Sequence, residues 1–133
     1  GLFFMLILIY TFYINTPQYI VTNYWKHLSN GEFEKAWKLT SENIFDLNLS
    51  VYTPVERAFF KRTNLAHKKT QVDKDKAIVS GVMTLPDVAK ALDSNQELID
   101  AIKKVPTIQK EYTFELQKTN EGWKIVNLIF GGD

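Results

Sequence analysis

Apolar and polar positions follow two different periods along this chain. After an apolar run at the beginning that only Thr11 interrupts, apolar residues recur every three to four positions up to about residue 60, the spacing of amphipathic helices. From about residue 67 they recur at every second position, the spacing of strands that bury one face. This order predicts an α+β domain in which N-terminal helices pack on an antiparallel sheet.

The opening apolar run is the sharpest feature of the pattern. Residues 2–14 read LFFMLILIYTFYI, and the first charged residue of the chain is Lys26. The run is shorter than the roughly 20 apolar residues that a spanning helix needs, and the chain begins with Gly rather than Met, so we expect further residues upstream. We favour an uncleaved membrane anchor over a cleaved signal peptide or a helix or strand buried in the core.

This interpretation divides the chain into an anchor segment, 1–15, and a single α+β domain, 16–133. The residues expected to contact lipid are Leu2, Phe3, Phe4, Leu6, Ile7, Leu8 and Ile9.

Three helices are expected after the anchor. Thr16-Pro17 supplies an N-cap and a proline at N1, and Asn30-Gly31 ends the helix that they begin. A second helix begins near Glu32. Thr53-Pro54-Val55-Glu56 is a capping box that predicts a third helix, ending at Lys61-Arg62. The inward face of the second helix is predicted to carry Phe33, Ala36, Trp37 and Thr40.

The period-two part of the chain predicts a sheet. A strand over Lys68–Val72 precedes a β-run over Lys76–Leu85, in which Gly81 suggests a bulge or bend. A strand over Thr107–Lys118 alternates cleanly and forms a hairpin with a last strand over Trp123–Phe130. One face of this last strand is predicted to hold Trp123, Ile125, Asn127 and Ile129.

A helical insertion is expected between the second and third of these strands. Residues 86–104 are longer than a hairpin loop requires, and Ser94-Asn95-Gln96-Glu97 has the form of a capping box before a helical pattern from Leu98 to Val105.

The composition of the chain argues against several classes of ligand and partner. The formal charge is +1, from 16 basic and 15 acidic residues, which argues against a nucleic-acid partner. Without cysteine the chain holds no disulfide and no thiolate zinc site, and its two histidines lack companion ligands at metal-binding spacing, so we predict neither a metal nor a cofactor. His27 is interpreted as a helix-end residue and His67 as a solvated surface residue.

The inward strand positions show no pair of ionisable groups that acid–base catalysis would need, so we expect no enzyme. The many aromatic residues of the helices are interpreted as core packing, with a pocket for an apolar ligand as the alternative. The candidates for lining such a pocket are Tyr24, Trp37, Phe59, Tyr112 and Asn127.

Two segments resemble the nuclear transport factor two-like superfamily. Residues 30–37, NGEFEKAW, resemble its first helix pair, in which a Gly-containing turn precedes a Phe-x-x-Ala helix. Residues 122–125, Gly-Trp-Lys-Ile, resemble the opening of the final strand in many bacterial members. The resemblance implies a cystatin-like cone, a curved sheet wrapped around a helix. The insertion at 86–104 departs from the simplest form of that pattern.

The resemblance also bears on function. Within the superfamily, a membrane anchor followed by one cone domain is similar to two kinds of bacterial protein: the inner-membrane assembly factors of type IV secretion and conjugation systems, which are scaffolds with no chemistry of their own, and a broad set of uncharacterised extracytoplasmic proteins. Soluble members include isomerases and dehydratases. No active-site motif of those enzymes matches this chain. We therefore expect a single-pass bacterial protein of the cell membrane with its domain on the extracytoplasmic side, binding lipid through the anchor and a protein partner or a second copy through the domain. The alternative is a carrier of a small apolar ligand, or an isomerase-like enzyme, that uses the cone cavity.

Overall fold

The structure is a computed structural model that describes residues 1–14, 16–41 and 54–131. In the described residues the four strands form one antiparallel sheet in the order β1-β2-β3-β4, against which helices from the N-terminal half of the chain pack, so the predicted α+β class is confirmed. The helices are α1 (Leu2–Ile14), α2 (Pro17–Ser29), α3 (Phe33–Trp37), α4 (Pro54–Lys61), α5 (Val88–Leu92) and α6 (Leu98–Lys104). The strands are β1 (Asn64–Asp73), β2 (Lys76–Pro86), β3 (Thr107–Thr119) and β4 (Gly122–Phe130).

The long helix α2 begins as its sequence predicts. The Thr16 side chain accepts a hydrogen bond from the Tyr19 amide at 3.3 Å, and Pro17 occupies the first helical position. The helix ends at Ser29 with Asn30 as its C-cap. Its buried stripe lies against the sheet and consists of Val21, Tyr24, Trp25 and Leu28.

The short helix α3 buries Phe33 and Ala36, but it does not bury Trp37, whose exposed fraction is 46%. The prediction that Trp37 faces inward is therefore wrong. The helix ends at Trp37, and the chain then turns toward the sheet, where the Leu39 carbonyl accepts a hydrogen bond from the Ile125 amide at 2.8 Å. Leu39, rather than Trp37, therefore packs against the main core.

Helix α4 begins at Pro54 and ends at Lys61, as predicted, and it buries Ala58 and Phe60. The proposed N-cap, Thr53, lies outside the described residues.

Strand β1 is longer than predicted. It also contains the β-bulge that was predicted for β2 at Gly81. Pairing runs from His67 opposite Gly81 to Lys69 opposite Ser80, so the extra residue is Lys68 of β1. Gly81 is required for a different reason: a Cβ there would lie 2.0 Å from the Ala66 carbonyl oxygen. The glycine therefore permits close backbone approach between β1 and β2.

A second bulge changes the orientation of Asn127. Leu116 pairs with Ile125, but Glu115 pairs with Asn127, so Val126 is an extra residue in β4. Asn127 is consequently on the outer face, where its amide donates to the Glu115 carboxylate at 2.9 Å. The prediction that Asn127 shares a face with Ile125 is wrong, because a one-residue bulge exchanges the two faces of a strand beyond it.

The insertion between β2 and β3 contains two short helices instead of one. The Asp87 carboxylate caps α5 by accepting from the Lys90 amide at 3.1 Å. The predicted capping box at Ser94 is not formed, because the Ser94 hydroxyl accepts from the Gln96 amide in a turn at 3.2 Å and α6 begins after Glu97.

The insertion packs on α4 through a small second core. Its buried members come from α4, α5, α6 and the start of the next loop and are Ala58, Ala91, Ala101, Ile102 and Val105. The Arg62 guanidinium donates to the Ile102 carbonyl at 2.6 Å, which also joins the insertion to the end of α4. Phe59 packs against both this cluster and the main core.

Candidate functional site

The main core between α2 and the concave face of the sheet is filled by aromatic rings. Trp25 contacts Phe60 and Phe114 edge-on, with ring centroids 5.6 and 6.4 Å apart. Tyr24 and Tyr112 contact Phe114 in the same manner at 6.2 and 5.6 Å. These rings therefore pack together in the main core, as the sequence predicted for the aromatic residues of the helices.

A row of three residues crosses the inner face of the sheet next to the core. His67 of β1 pairs with Gly81 of β2, which pairs with Tyr112 of β3. Because Gly81 has no side chain, the Tyr112 hydroxyl passes over β2 and lies 2.5 Å from Nδ1 of His67. A Cβ at Gly81 would be 2.8 Å from that hydroxyl. The glycine therefore leaves the space in which side chains of β1 and β3, two strands that are not adjacent, contact each other.

The other imidazole nitrogen contacts α2. Nε2 of His67 lies 2.8 Å from the hydroxyl of Thr22. A neutral imidazole suits both neighbours, because one ring nitrogen donates while the other accepts. Burial lowers the pKa of His67 below its ordinary value and raises the pKa of Tyr112 to about 12. At neutral pH the hydrogen-bonded series from Tyr112 through His67 to Thr22 is therefore uncharged.

The interpretation of His67 as a solvated surface residue is wrong. Strand β1 begins at Asn64, three residues before the predicted change of period, and Leu65 and His67 then point to the same inner face. The even spacing of Leu65 and His67 was the signal available in the sequence. It was weak because one apolar residue does not define a period.

An open cleft of about 340 Å³ lies between α2 and the beginning of β1. Five of its lining residues lie on one face of α2 and at its C-cap, and four belong to the end of the α4–β1 loop and to β1. They are Thr22, Trp25, Lys26, Ser29, Asn30, Thr63, Asn64, Leu65 and His67. Its apolar surface comes from the buried Trp25 and the half-buried Leu65.

The inner polar groups of the cleft are held by the backbone. The Ser29 hydroxyl donates to the carbonyls of Trp25 and Phe60 at 3.0 and 3.2 Å. The Thr63 hydroxyl donates to the Phe59 carbonyl at 2.7 Å. These two groups and His67 form walls with fixed geometry. The remaining polar lining residues are all exposed: Thr22, which contacts His67, and Lys26, Asn30 and Asn64 at the rim.

The five predicted pocket residues are not lining residues of this cleft. Tyr24 and Tyr112 are buried in the core, and Phe59 is half-buried beside Phe60. Trp37 is exposed at the end of α3, and Asn127 is on the outer sheet face. Tyr112 nevertheless bears on the cleft, because it holds His67.

The other histidine forms a separate surface group. Nδ1 of His27 lies 3.1 Å from the Glu32 carboxylate, to which Lys35 donates at 2.9 Å. The hydrogen bonds from Lys35 and His27 lower the pKa of Glu32 to about 2. Within residues 1–14, 16–41 and 54–131, no three His, Asp or Glu side chains are grouped as a metal ion would require.

Helix α1 lies apart from the domain core. Its residues 2–9 are all apolar, and their side chains are between 47% and 77% exposed. The alternative in which this segment packs inside the core does not hold for these residues. None of the helices in the described part of the chain has both the length and the hydropathy that crossing a membrane requires.

Comparison with known proteins places the fold in a known class. No family model matches the chain, and no curated protein matches it. Solved structures do match: an NTF-2-like protein of unknown function from Shewanella oneidensis MR-1 has 12% identity and a TM-score of 0.55, over 85% of this chain and 93% of that one. The chain thus has the cone-shaped nuclear transport factor two-like fold that the resemblance implied.

Two further matches show how varied the proteins with this fold are. A ketosteroid isomerase-like protein from Shewanella frigidimarina has 14% identity and a TM-score of 0.54, over 84% of this chain and 91% of that one. The hub of the S. rosetta CaMKII has 16% identity and a TM-score of 0.56, over 87% of this chain and 93% of that one. At these identities the matches define the fold, and the function must be argued from this chain's own residues.

Proposed function

We propose that this protein is a binding and assembly module without catalytic activity, held at a lipid surface by α1. The observation that carries the proposal is the exposure of eight consecutive apolar residues of α1, 2–9, beside a domain that has its own core. Large exposed apolar surfaces in water mark sites that contact a partner or a membrane.

Lipid is the favoured partner of α1 because the helix is apolar on every side. A helix that docks in a protein groove carries one apolar stripe and one polar face. Residues 2–9 of α1 contain no charged or hydrogen-bonding side chain. Burying apolar surface in hydrocarbon contributes roughly 25 cal/mol per Å², so an all-apolar helix is stabilised in any orientation there.

Flotation with phosphatidylcholine vesicles tests the lipid contact. The whole chain is expected to rise with the vesicles, and a double variant, Leu6→Glu with Ile9→Glu, is expected to remain at the bottom, because a carboxylate in hydrocarbon is costly. The matched control is Leu92→Glu, which changes a residue of α5 that is also well exposed. Flotation of the double variant at the wild-type level would contradict the proposal.

For assembly, the occupant that we propose for the outer face of the sheet is a second copy of this chain. Ile78 of β2 and Ile129 of β4 are exposed on that face, among polar residues such as Thr113 and Glu115. A face that combines isolated aliphatic residues with hydrogen-bonding side chains is suited to an isologous contact. The similarity to the S. rosetta CaMKII hub supports self-association on this fold.

Sedimentation velocity in a zwitterionic detergent tests the second copy. The wild type is expected to sediment as a dimer or larger species, and Ile129→Glu as a monomer. Val72→Glu is the control, because Val72 is an exposed apolar residue on the opposite edge strand. A monomeric wild type across the accessible concentrations would overturn self-association and leave lipid binding unaffected.

The extracytoplasmic side is also part of the proposal. An alkaline phosphatase fused after Asp133 would be active outside the cytoplasm and inactive within it, so cells expressing the fusion are expected to show phosphatase activity. An inactive fusion at normal abundance would place the domain on the cytoplasmic side.

A further inference from the structure

We propose that the cleft between α2 and β1 binds a small organic carboxylate with a flat apolar body. This inference is independent of the lipid anchor and of self-association, because it uses neither α1 nor the outer sheet face.

The size and floor of the cleft suit such a ligand. Its volume of about 340 Å³ is within the range of small-molecule sites, which begins near roughly 300 Å³. The apolar part of the lining consists of the half-buried side chain of Leu65 and the small part of Trp25, 5% of its surface, that remains exposed. Trp25 is itself held by edge-on contacts with Phe60 and Phe114. A flat apolar group that covers this surface removes it from water.

The charge of the cleft selects an anion. Lys26 contributes an ammonium group, and none of the nine described lining residues is acidic. Asn30 and Asn64 add amide donors; Lys26 lies in the last turn of α2 and Asn30 is the C-cap of that helix, and both line the cleft. A carboxylate at the rim thus has a cationic partner and neutral donors within the lining of the cleft.

Hydrogen bonds within the protein already hold the side chains that form the walls of the cleft. His67 is held between Tyr112 and Thr22, and the hydroxyls of Ser29 and Thr63 are engaged by backbone carbonyls. Side chains that are already fixed lose little conformational freedom on binding, so the ordering cost falls mainly on the three rim residues. The neutral His67 adds no competing charge to the site.

The test uses benzoate and its uncharged analogue benzamide as probes. The whole chain in zwitterionic detergent is titrated with each compound, and amide chemical shifts are followed by NMR. Benzoate is expected to shift residues of α2 and the start of β1 with a saturable dissociation constant near or below about 1 mM. Benzamide is expected to bind about three- to tenfold more weakly, the effect of losing one partly exposed charge-assisted contact.

Lys26→Met separates charge recognition from non-specific partitioning into the micelle. It retains an unbranched side chain, removes the ammonium group, and is expected to weaken benzoate about three- to tenfold with benzamide unchanged. The control is Lys103→Met, at an exposed position in the last turn of α6. The proposal fails if benzoate shows no saturable shifts up to about 10 mM, if its shifts map away from the cleft, or if Lys26→Met binds like the wild type.

Discussion

At the scale of single residues, the cleft depends on a glycine that does not touch it. Gly81 lies between His67 and Tyr112 in the pairing of three strands, and its missing side chain lets the two rings meet. The contact fixes one wall of the cleft and brings β1, β3 and α2 together through hydrogen bonds. Gly81 of β2 thus determines how His67 is held in the wall of the cleft.

Substitution of this glycine tests that dependence. Gly81→Ala is expected to destabilise the domain by about 2–4 kcal/mol, because its Cβ meets both the Ala66 carbonyl and the Tyr112 hydroxyl at distances that require backbone movement. Gly1→Ala is the control, since no atom lies within 4 Å of a Cβ placed there, and its cost is expected to be below about 0.5 kcal/mol. Urea unfolding followed by circular dichroism compares the two. Equal effects would contradict the role assigned to Gly81.

The hydrogen bonds of His67 predict a pH dependence of stability. The folded-state pKa of His67 is lower than its unfolded value of about 6.5, so below that pH the unfolded chain binds more protons than the folded one. Its contribution to stability is therefore complete above about pH 6.5 and is lost as the pH falls through the folded-state pKa.

His67→Gln removes the titrating group and isolates this effect. Thermal unfolding midpoints are measured at pH 7.5 and pH 5.5, conditions that lie on either side of the unfolded pKa. The wild type is expected to lose more stability between them than His67→Gln does. A wild-type midpoint that rises on acidification relative to the variant would reverse the sign and contradict the buried, neutral state of His67.

At the scale of elements, the insertion between β2 and β3 is a structural layer with its own contacts. Helices α5 and α6 bury alanines and Ile102 against α4, and Arg62 joins α4 to the Ile102 carbonyl. Since α4 also supplies Phe60 to the main core, the insertion stabilises the helix that leads into β1 and the cleft.

Truncation of Ile102 tests this coupling. Ile102→Ala is expected to cost about 2–4 kcal/mol, the usual range for a fully buried aliphatic residue, and to reduce hydrogen-exchange protection in α4 as well as in α6. Leu92→Ala in α5 is the control, because Leu92 is largely exposed and its loss is expected to change stability by less than about 0.5 kcal/mol. Protection lost in α6 alone would show that the insertion is independent of α4.

At the scale of the whole molecule, the chain separates into a core domain and an apolar helix beside it. The domain completes its hydrophobic core with residues of α2, α3, α4 and the sheet. Residues 2–9 of α1 are exposed and are absent from both core clusters. Because residues 2–9 contribute to neither cluster, we expect the domain to keep its stability without the helix.

Removal of residues 1–14 tests this separation. The shortened chain is expected to unfold cooperatively with a free energy of unfolding within about 1 kcal/mol of the full-length value in the same detergent, because few domain contacts are lost. Far-ultraviolet circular dichroism during thermal unfolding provides the measurement. A shortened chain without a cooperative transition would show that α1 is part of the domain.

The sequence by itself determined the elements and the class of the domain. Three of its signals are local, because neighbours in the chain produce them: the cap at Thr16-Pro17, the proline at the start of α4 and the alternation of β3. The structure has these three elements where they were predicted. The uniform apolar character of α1 was equally readable, since it needs no knowledge of any partner residue.

Only the tertiary structure decided which side chains meet. One extra residue in β4 moved Asn127 to the outer face, the turn after α3 left Trp37 exposed, and the register of three strands brought His67 to Tyr112 across Gly81. Bulges and register are set by pairing between segments far apart in the sequence, so no local pattern contains them. The cleft is therefore a product of long-range packing: α2, which lines one side of it, follows from local sequence, whereas the part of β1 that lines the other side lies before the predicted strand.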